Sequence, residues 1–251
     1  MQVGTRAAQL DGSSTNNSIF VQYPTQTGAF WQWGGNSVAT QRMPWHPTTP
    51  ADTPSGWVNS NIPGNWYANA TTPNLMTNHE TCPPGFRRPR DGDPWNNVPN
   101  NTAALVQQSE IRQSLFLLPQ IGSGTNNTAN SVFGFYADGF FDRRLPTNAT
   151  GGAAGRNVAG TVAAGTEQIA NRGTLLFNGE SGASLFFPAT GHRSMTLSPN
   201  GVVTGVGNTG HYWSSTPHTG SAAWRPSFGN NNSNIGSGDR AHGFPIRCVV
   251  E

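Results

Sequence analysis

Apolar residues along this chain come in short bursts separated by long polar stretches. The bursts read "GAFWQWGG" (28–35), "SVFGFYADGFFDRR" (131–144), "GTLLFN" (173–178), "ASLFFPATGHRS" (183–194), "GHYWSSTP" (210–217), "SAAWRPSF" (221–228) and "GFPIRCVV" (243–250). Most are short, rich in aromatic or β-branched residues and bounded by Gly, Pro, Asn or Ser, which is the pattern of strands. In 131–144 it predicts a strand, a tight turn at Ala137–Gly139 and a second strand; 173–178 and 183–194 read as strands joined by a turn. Pro226 is expected to break the strand at 221–228, because proline removes a ladder donor. The best helix candidate is "NTAALVQQSEIRQSLFLLP" (101–119), stopped by Pro119.

The polar stretches set the domain layout. Residues 1–27 read as an irregular leader or N-terminal extension with one strand at Ser18–Tyr23. Residues 40–80 are a Pro/Asn/Thr-rich loop, with Trp45, Trp57 and Trp66 as anchors pinning it to the core. The low-complexity run at 150–165 reads as an inserted loop. What remains is a single domain over 28–251 of class α+β: short antiparallel strands, one or two helices and long loops. Loops this long in a compact domain carry function more often than not. One tract stands apart. Arg225–His242 is small, polar and asparagine-rich, yet it runs directly into the strand-like C-terminal segment.

Composition narrows the possibilities. Charged residues make up 10% of the chain, against about 25% in ordinary globular domains. There is no lysine, so all 14 Lys+Arg are arginines, and the net charge is +2. No basic run exceeds "RRPR" at 87–90, which argues against a nucleic-acid partner. No stretch approaches the roughly 18–20 apolar residues of a helical membrane span. Yet 8 Trp and 13 Phe are far too many for a disordered chain.

Candidate chemistry is sparse. Asp91, Asp93, Asp138 and Asp142 show no spacing that fixes a carboxylate pair for glycoside hydrolysis. "RDGDPWNN" hints at a calcium loop but lacks the alternating ligands and terminal Glu, so no cofactor is assigned and a structural calcium has no sequence support. The six histidines lie singly; His211 and His218 are close enough to meet across a turn, though a surface polar role is expected of them. Cys82 and Cys248 have neither a CxxC neighbour nor a histidine pair, which disfavours zinc and leaves two readings, buried thiols or a disulfide closing a long loop. A disulfide implies an oxidising compartment.

Five motifs stand in an order that resembles a known family: "GAFWQWGG", "CPPGFRRP", "SLFFPATGHRS", "GHYWSSTP" and "GFPIRCV". They are similar to signatures of the Fibrobacter succinogenes major paralogous domain family over roughly residues 28–250. The resemblance implies a C-type lectin-like fold of the formylglycine-generating-enzyme-like branch. It matches Cys82 and Cys248 to a structural cysteine pair, which leaves no reactive cysteine for oxidase chemistry, so the chain is expected not to be an enzyme. "FRRPRDGDPW" departs from the family pattern, and 143–170 is an insertion relative to it.

The stretch from "YWSST" to "RCV" also resembles the variable proteins of diversity-generating retroelements, in which template adenines are mutagenised, chiefly in Asn codons. That resemblance implies a diversified ligand-binding surface near the C-terminus. Every residue type in 225–242 is reachable from an Asn codon by adenine changes, and the unreachable Lys, Glu, Gln, Met and Trp are absent from it. The implied ligand-binding residues are Tyr212, His218, Trp224, Arg225, Ser227, Asn230, Asn232, Asn234, Ile235, Ser237, Asp239 and His242. Tyr212 and Trp224 would be rigid amphipathic anchors. On a half-buried strand one of Tyr212 and Trp213 faces inward, and Trp213 is the expected core residue, with Tyr212 partly exposed. The implied partner is a protein or glycan on another cell or a phage host. The implied location is the extracellular face of a bacterium, reached through a leader preceding this sequence, or alternatively a phage virion. The alternative function is a non-diversified bacterial surface protein of lectin fold with a structural or glycan-binding role; a hydrolase ranks below both.

Overall fold

A computed structural model describes residues 29–33, 42–44, 82–91, 109–115, 132–136, 173–178, 182–196, 201–205, 209–218, 221–229 and 232–251. The N-terminal extension, most of the 40–80 loop with its three tryptophans, Asp93, Asp138, Asp142 and the 143–170 insertion lie outside the described residues.

Two strands near the N-terminus pair antiparallel: β1 (Ala29–Trp31) and β2 (Arg42–Pro44). So part of the expected 40–80 loop is strand. A second small sheet joins β3 (Phe86–Arg87) to the last strand, β12 (Val249–Val250). The helix α1 (Glu110–Leu115) lies within the 101–119 stretch expected to hold a helix, of which 101–108 and 116–119 lie outside the described residues. Ser109 sets its start: its Oγ accepts the Arg112 N–H at 3.1 Å, as a helix N-cap does.

A three-stranded sheet runs β4 (Val132–Tyr136), β5 (Gly173–Asn178), β6 (Ala183–Pro188). The β5–β6 pairing bears out the predicted strand–turn–strand. Strand β4 pairs with β5 at Val132↔Phe177 through Tyr136↔Gly173, and its expected hairpin partner lies outside the described residues. Next come β7 (His192–Arg193) and β8 (Val203–Thr204), paired with each other. A second three-stranded sheet has the order β11–β10–β9, from β9 (Thr209–His211), β10 (Ala222–Gly229) and β11 (Asn232–Asp239). Among the described residues the chain is therefore strand-rich, with the expected short antiparallel strands in small sheets and one six-residue helix.

Strand β10 is central, and Pro226 does not break it. Pro226 pairs with Ile235 on β11, and on the other side its carbonyl accepts the Tyr212 N–H at 3.1 Å. The ladder there needs an acceptor at this position, so the missing proline N–H costs little. The chain beyond β9 continues beside β10: the Trp224 N–H donates to the Thr216 carbonyl and the His218 N–H to that of Ala222, each at 2.9 Å.

This sheet is covered on one face and, around Trp213 and Ala223, on the other. One face packs Tyr212, Trp224, Phe228 and Ile235 against Ile111, Leu176 and Phe187. The other packs Trp213 and Ala223 against Trp31, Trp33, Phe244 and Ile246. Tyr212 and Trp213 point to opposite faces, and both are buried, at 1% and 0% exposure. The expected partial exposure of Tyr212 is thus corrected: an alternation argument assumes one wet face, and this sheet has none at that point.

Buried arginines hold the irregular segments between strands. Arg88 Nη1 donates to the Trp33 carbonyl at 2.6 Å and Arg193 Nη1 to that of Gly201 at 2.7 Å. Arg240 donates to the carbonyls of Ala222 and His218 at 2.7 and 3.1 Å, and Arg247 to that of Phe186. Several lie over aromatic rings as well: Arg240 over Trp33 at 5.0 Å, Arg247 over Phe187 at 5.3 Å and Arg193 over Phe30 at 5.6 Å. A planar, weakly hydrated guanidinium tolerates such burial where an ammonium does not. Arg112 instead pairs with Asp91, with Nε to Oδ1 at 2.8 Å, and both side chains are fully buried. Ser109 Oγ also donates to Asp91. Asp91 is thereby committed to helix α1, which disposes of a calcium role for it.

Cys82 and Cys248 form a disulfide with Cα atoms 5.9 Å apart, closing a loop of 166 residues. It ties the segment before β3 to that before β12, inside the cluster built on Trp31, Trp33 and Trp213. The unreduced protein should weigh two hydrogens less than the reduced chain by intact mass spectrometry. Replacing both cysteines by Ser should lower unfolding free energy by up to about 5 kcal/mol, the chain-entropy ceiling for a loop of this size. Asp91→Ala should lower it by about 3–5 kcal/mol, because it leaves the Arg112 guanidinium buried without its counter-charge. A shift in the urea midpoint equivalent to under about 1 kcal/mol would show that Arg112 finds another partner.

Candidate functional site

The tract Arg225–His242 was expected to be a loop; it is chiefly the second half of β10 and the whole of β11. Its register places Ser227 opposite Asn234, Arg225 opposite Gly236 and Ala223 opposite Gly238. Residues therefore alternate between the two faces. Phe228, Ser233 and Ile235 are buried, as is Trp224 just before the tract. Arg225, Ser227, Asn234 and Gly236 lie on the opposite side and are partly exposed.

That opposite side opens into a cleft of about 330 Å³, lined by His192, His211, Ala222, Arg225, Ser237, Gly238, Asp239, His242 and Phe244. Two backbone bridges assemble it. Gly191 pairs with Gly210, which brings His192 beside His211. Arg193 pairs with Gly243, which brings His192 beside His242. The imidazoles of His192 and His211 meet edge to face at 5.0 Å between ring centres, and those of His192 and His242 at 5.4 Å. Phe244 touches all three: 5.7 Å from His192, 5.2 Å from His211 and 5.7 Å from His242.

Arg225 crosses this cluster. Its guanidinium lies 5.2 Å from the Phe244 ring centre and Nη1 donates to His211 Nδ1. An imidazole that accepts from a cation there is neutral, with its proton on Nε2. Gly238 makes room for the arginine, since a Cβ at that position would stand 2.5 Å from Arg225 Nε. The Met195 N–H donates to His242 Nδ1 at 3.2 Å.

Burial and mutual repulsion keep these histidines uncharged. His192 is lowered from 6.5 to about 4, first by desolvation and then by His242 and Arg225. His211 is held well below the usual range by burial, Arg225 and the other two imidazoles. His242 is lowered by desolvation, against which a hydrogen bond to the Arg193 backbone and the charge of Asp239 act. Arg225 falls to about 10 through burial and stays cationic at neutral pH.

Of the twelve ligand-binding residues implied by sequence, the structure brings Arg225, Ser237, Asp239 and His242 to this cleft. Ser227 and Asn234 bond to each other across the hairpin. Tyr212, Trp224 and Ile235 are core residues and are withdrawn as surface contacts. The Tyr212 hydroxyl is satisfied by the Pro188 carbonyl at 2.8 Å, and Trp224 lies under the guanidinium of Arg112 at 5.5 Å. His218 packs edge-on against Trp224 at 4.7 Å and lies outside the cleft lining, while His211, expected to have a surface polar role, packs against His192. Asn232 begins β11, and Asn230 lies outside the described residues.

His192, His211 and Phe244 are cleft residues that sequence reasoning did not select. The available signal is that each histidine of the cluster neighbours a glycine, in "GHR", "GHY" and "AHG". Those glycines make the backbone bridges. Among the described residues no group of three His, Cys, Asp or Glu side chains is arranged to hold a metal ion.

The site is thus a small polar cleft with an arginine, three neutral imidazoles and an aromatic wall, on one face of a rigid hairpin. Residues 162–249, which include the hairpin and all three histidines, are similar to a domain of unknown function, DUF8237. No curated protein and no solved structure matches the chain.

The neutral histidines tie stability to pH. As pH falls through 6.5 the unfolded chain takes up protons that the folded chain refuses; His192 holds out until about 4. Its contribution is complete above pH 6.5 and is lost as pH falls toward 4, for a total of roughly 3 kcal/mol. His211 and His242 act in the same direction. Urea midpoints should therefore fall steadily from pH 7 to pH 4.5, and His192→Gln should flatten the slope. An unchanged midpoint across that window would contradict the buried, neutral cluster.

Proposed function

We propose that this protein is a binding protein that presents the cleft-side face of its C-terminal hairpin to a ligand, and that this face is diversified by a retroelement. One observation carries the reading: the polar tract is a hairpin in which Trp224, Phe228, Ser233 and Ile235 are buried while Arg225, Ser227, Asn234 and Gly236 on the opposite side are partly exposed. Such a hairpin lets one set of side chains change while the other keeps the fold. Arg225, Ser227, Asn234 and Gly236 can vary without touching the packing of Trp224, Phe228 and Ile235. Short side chains on a fixed backbone lose little conformational entropy on binding. Under this reading the chain is not an enzyme. The five ordered motifs support a C-type lectin-like scaffold, and the disulfide supports a location outside the reducing cytoplasm. The partner is a protein or glycan on another cell or a phage host.

The test is to sequence the DNA around the gene for a reverse transcriptase beside a near-copy of the 3′ end. Mismatches are expected at template adenines, falling under the codons for 225, 227, 234, 236–239 and 242. They should spare 224, 228, 233 and 235. A near-copy whose mismatches fall on the core codons overturns the assignment of the face. Absence of any near-copy overturns diversification and favours a non-diversified surface protein.

A further inference from the structure

We propose that the cleft is a carboxylate-binding subsite, in which Arg225 and His192 take the acidic group of a ligand about the size of a monosaccharide or an amino-acid side chain. The inference deepens the binding reading above and rests on it.

The argument starts from how this protein treats its other buried arginines. Arg88, Arg193, Arg240 and Arg247 donate to backbone carbonyls, and Arg112 donates to Asp91. Arg225 does neither. Among the described residues its hydrogen-bond partner is a neutral imidazole, that of His211. Its Nε is buried without a partner. His192 Nδ1, lining the same cleft, is also buried and unpartnered. A buried donor or acceptor left unmade costs roughly 1–3 kcal/mol, and a buried cation without an anion is costlier still. Two such atoms in one cleft, one on a fixed cation, mark a place prepared for an external partner. A carboxylate suits it, because its two oxygens match the guanidinium fork and accept from a protonated imidazole.

The surroundings agree. A Cβ at Gly236, opposite Arg225 in the hairpin, would meet none of the described residues within 4 Å. Phe244 supplies an apolar wall, and about 330 Å³ suits a small organic acid better than a bare ion. The charged and titratable groups facing Arg225 are His192 from β7, His211 from β9, Asp239 from β11 and His242 beyond it. Asp239 is the one carboxylate among them. It acts on His242, at the far side of the cluster from the Arg225–His211 bond. A three-histidine metal site fits less well. His211 Nδ1 and His242 Nδ1 are already hydrogen-bonded, and a guanidinium stands among the rings.

Binding an anion favours the protonated imidazoles. Affinity should therefore rise as pH falls from 7 toward 5, by up to about tenfold per pH unit for each proton taken up.

The imidazole resonances of the full chain can be followed by ¹H–¹³C NMR at pH 6 during titration with sodium glucuronate, N-acetylglutamate or neutral glucose, with sodium chloride as the ionic-strength control. Saturable shifts of His192 and His211 with at least one carboxylate, and none with glucose or chloride, are expected. The two acids tell a sugar acid from an acidic side chain. Arg225→Gln should weaken binding at least about tenfold. Arg225→Lys, which keeps the charge but loses the fork, should also weaken it, and serves if the glutamine variant does not fold. Absence of a saturable shift with either acid overturns the proposal, as does an equal response to glucose. So does a response to Zn²⁺ without one to the acids. A silent titration would leave the genomic test of diversification standing, and a missing near-copy would leave the carboxylate subsite standing.

Discussion

Guanidinium groups bonded to backbone carbonyls are what the rest of this structure depends on. The described segments between its strands are largely irregular, and irregular backbone leaves carbonyls without ladder partners. Arg88, Arg193, Arg240 and Arg247 reach into the interior and satisfy such carbonyls, and several rest on aromatic rings as they do so. A guanidinium offers five donors in one plane and so can bind two segments at once, as Arg240 does for His218 and Ala222. Lysine has no such fork and resists dehydration. A chain built this way gains little from lysine, and this one has none.

The same device places the hairpin. Arg240, at the end of β11, fixes the start of β10 through the Ala222 carbonyl. The Trp33 N–H donates to the Arg240 carbonyl at 3.0 Å, and Trp33 Nε1 donates to that of Ser214 at 2.8 Å. Trp213 Nε1 in turn donates to the Trp31 carbonyl at 2.7 Å. N-terminal tryptophans are thus bonded to the C-terminal sheet across most of the sequence, and the disulfide fastens the same cluster. With β10 packed on one face and, around Ala223, on the other, the side chains that turn toward the cleft do so from a backbone with little freedom to respond. Changing them alters the cleft and leaves the sheet in place.

Within that frame the histidine cluster is an expense in stability. Three imidazoles packed against one another and against a cation resist protonation, and Arg225 sits among them without a counter-charge. The other buried arginines described here bond carbonyls or a carboxylate. A buried cation bonded instead to a neutral imidazole fits a site that completes itself with a ligand.

The sequence by itself determined the short strands, because period and punctuation are local: 173–178 and 183–188 fall where the pattern puts them. Their antiparallel pairing followed from the turn between them. The disulfide was one of two open readings of the cysteines until the family resemblance matched the pair. Trp213 was legible as core, and Arg225, Ser237, Asp239 and His242 as neighbours in one site. What the tertiary structure alone decided is which residues meet across long separations. Tyr212 and Trp224 look like surface anchors until both faces of the sheet are seen to be covered at that point. Asparagine, serine and glycine favour turns locally, so 225–242 reads as loop; the packing of Phe228 and Ile235 on one side overrides that preference and makes it a hairpin. His192 and His211 are 19 residues apart, and no periodicity joins them. They meet because Gly191 and Gly210 pair, and that pairing is set by the folded chain as a whole.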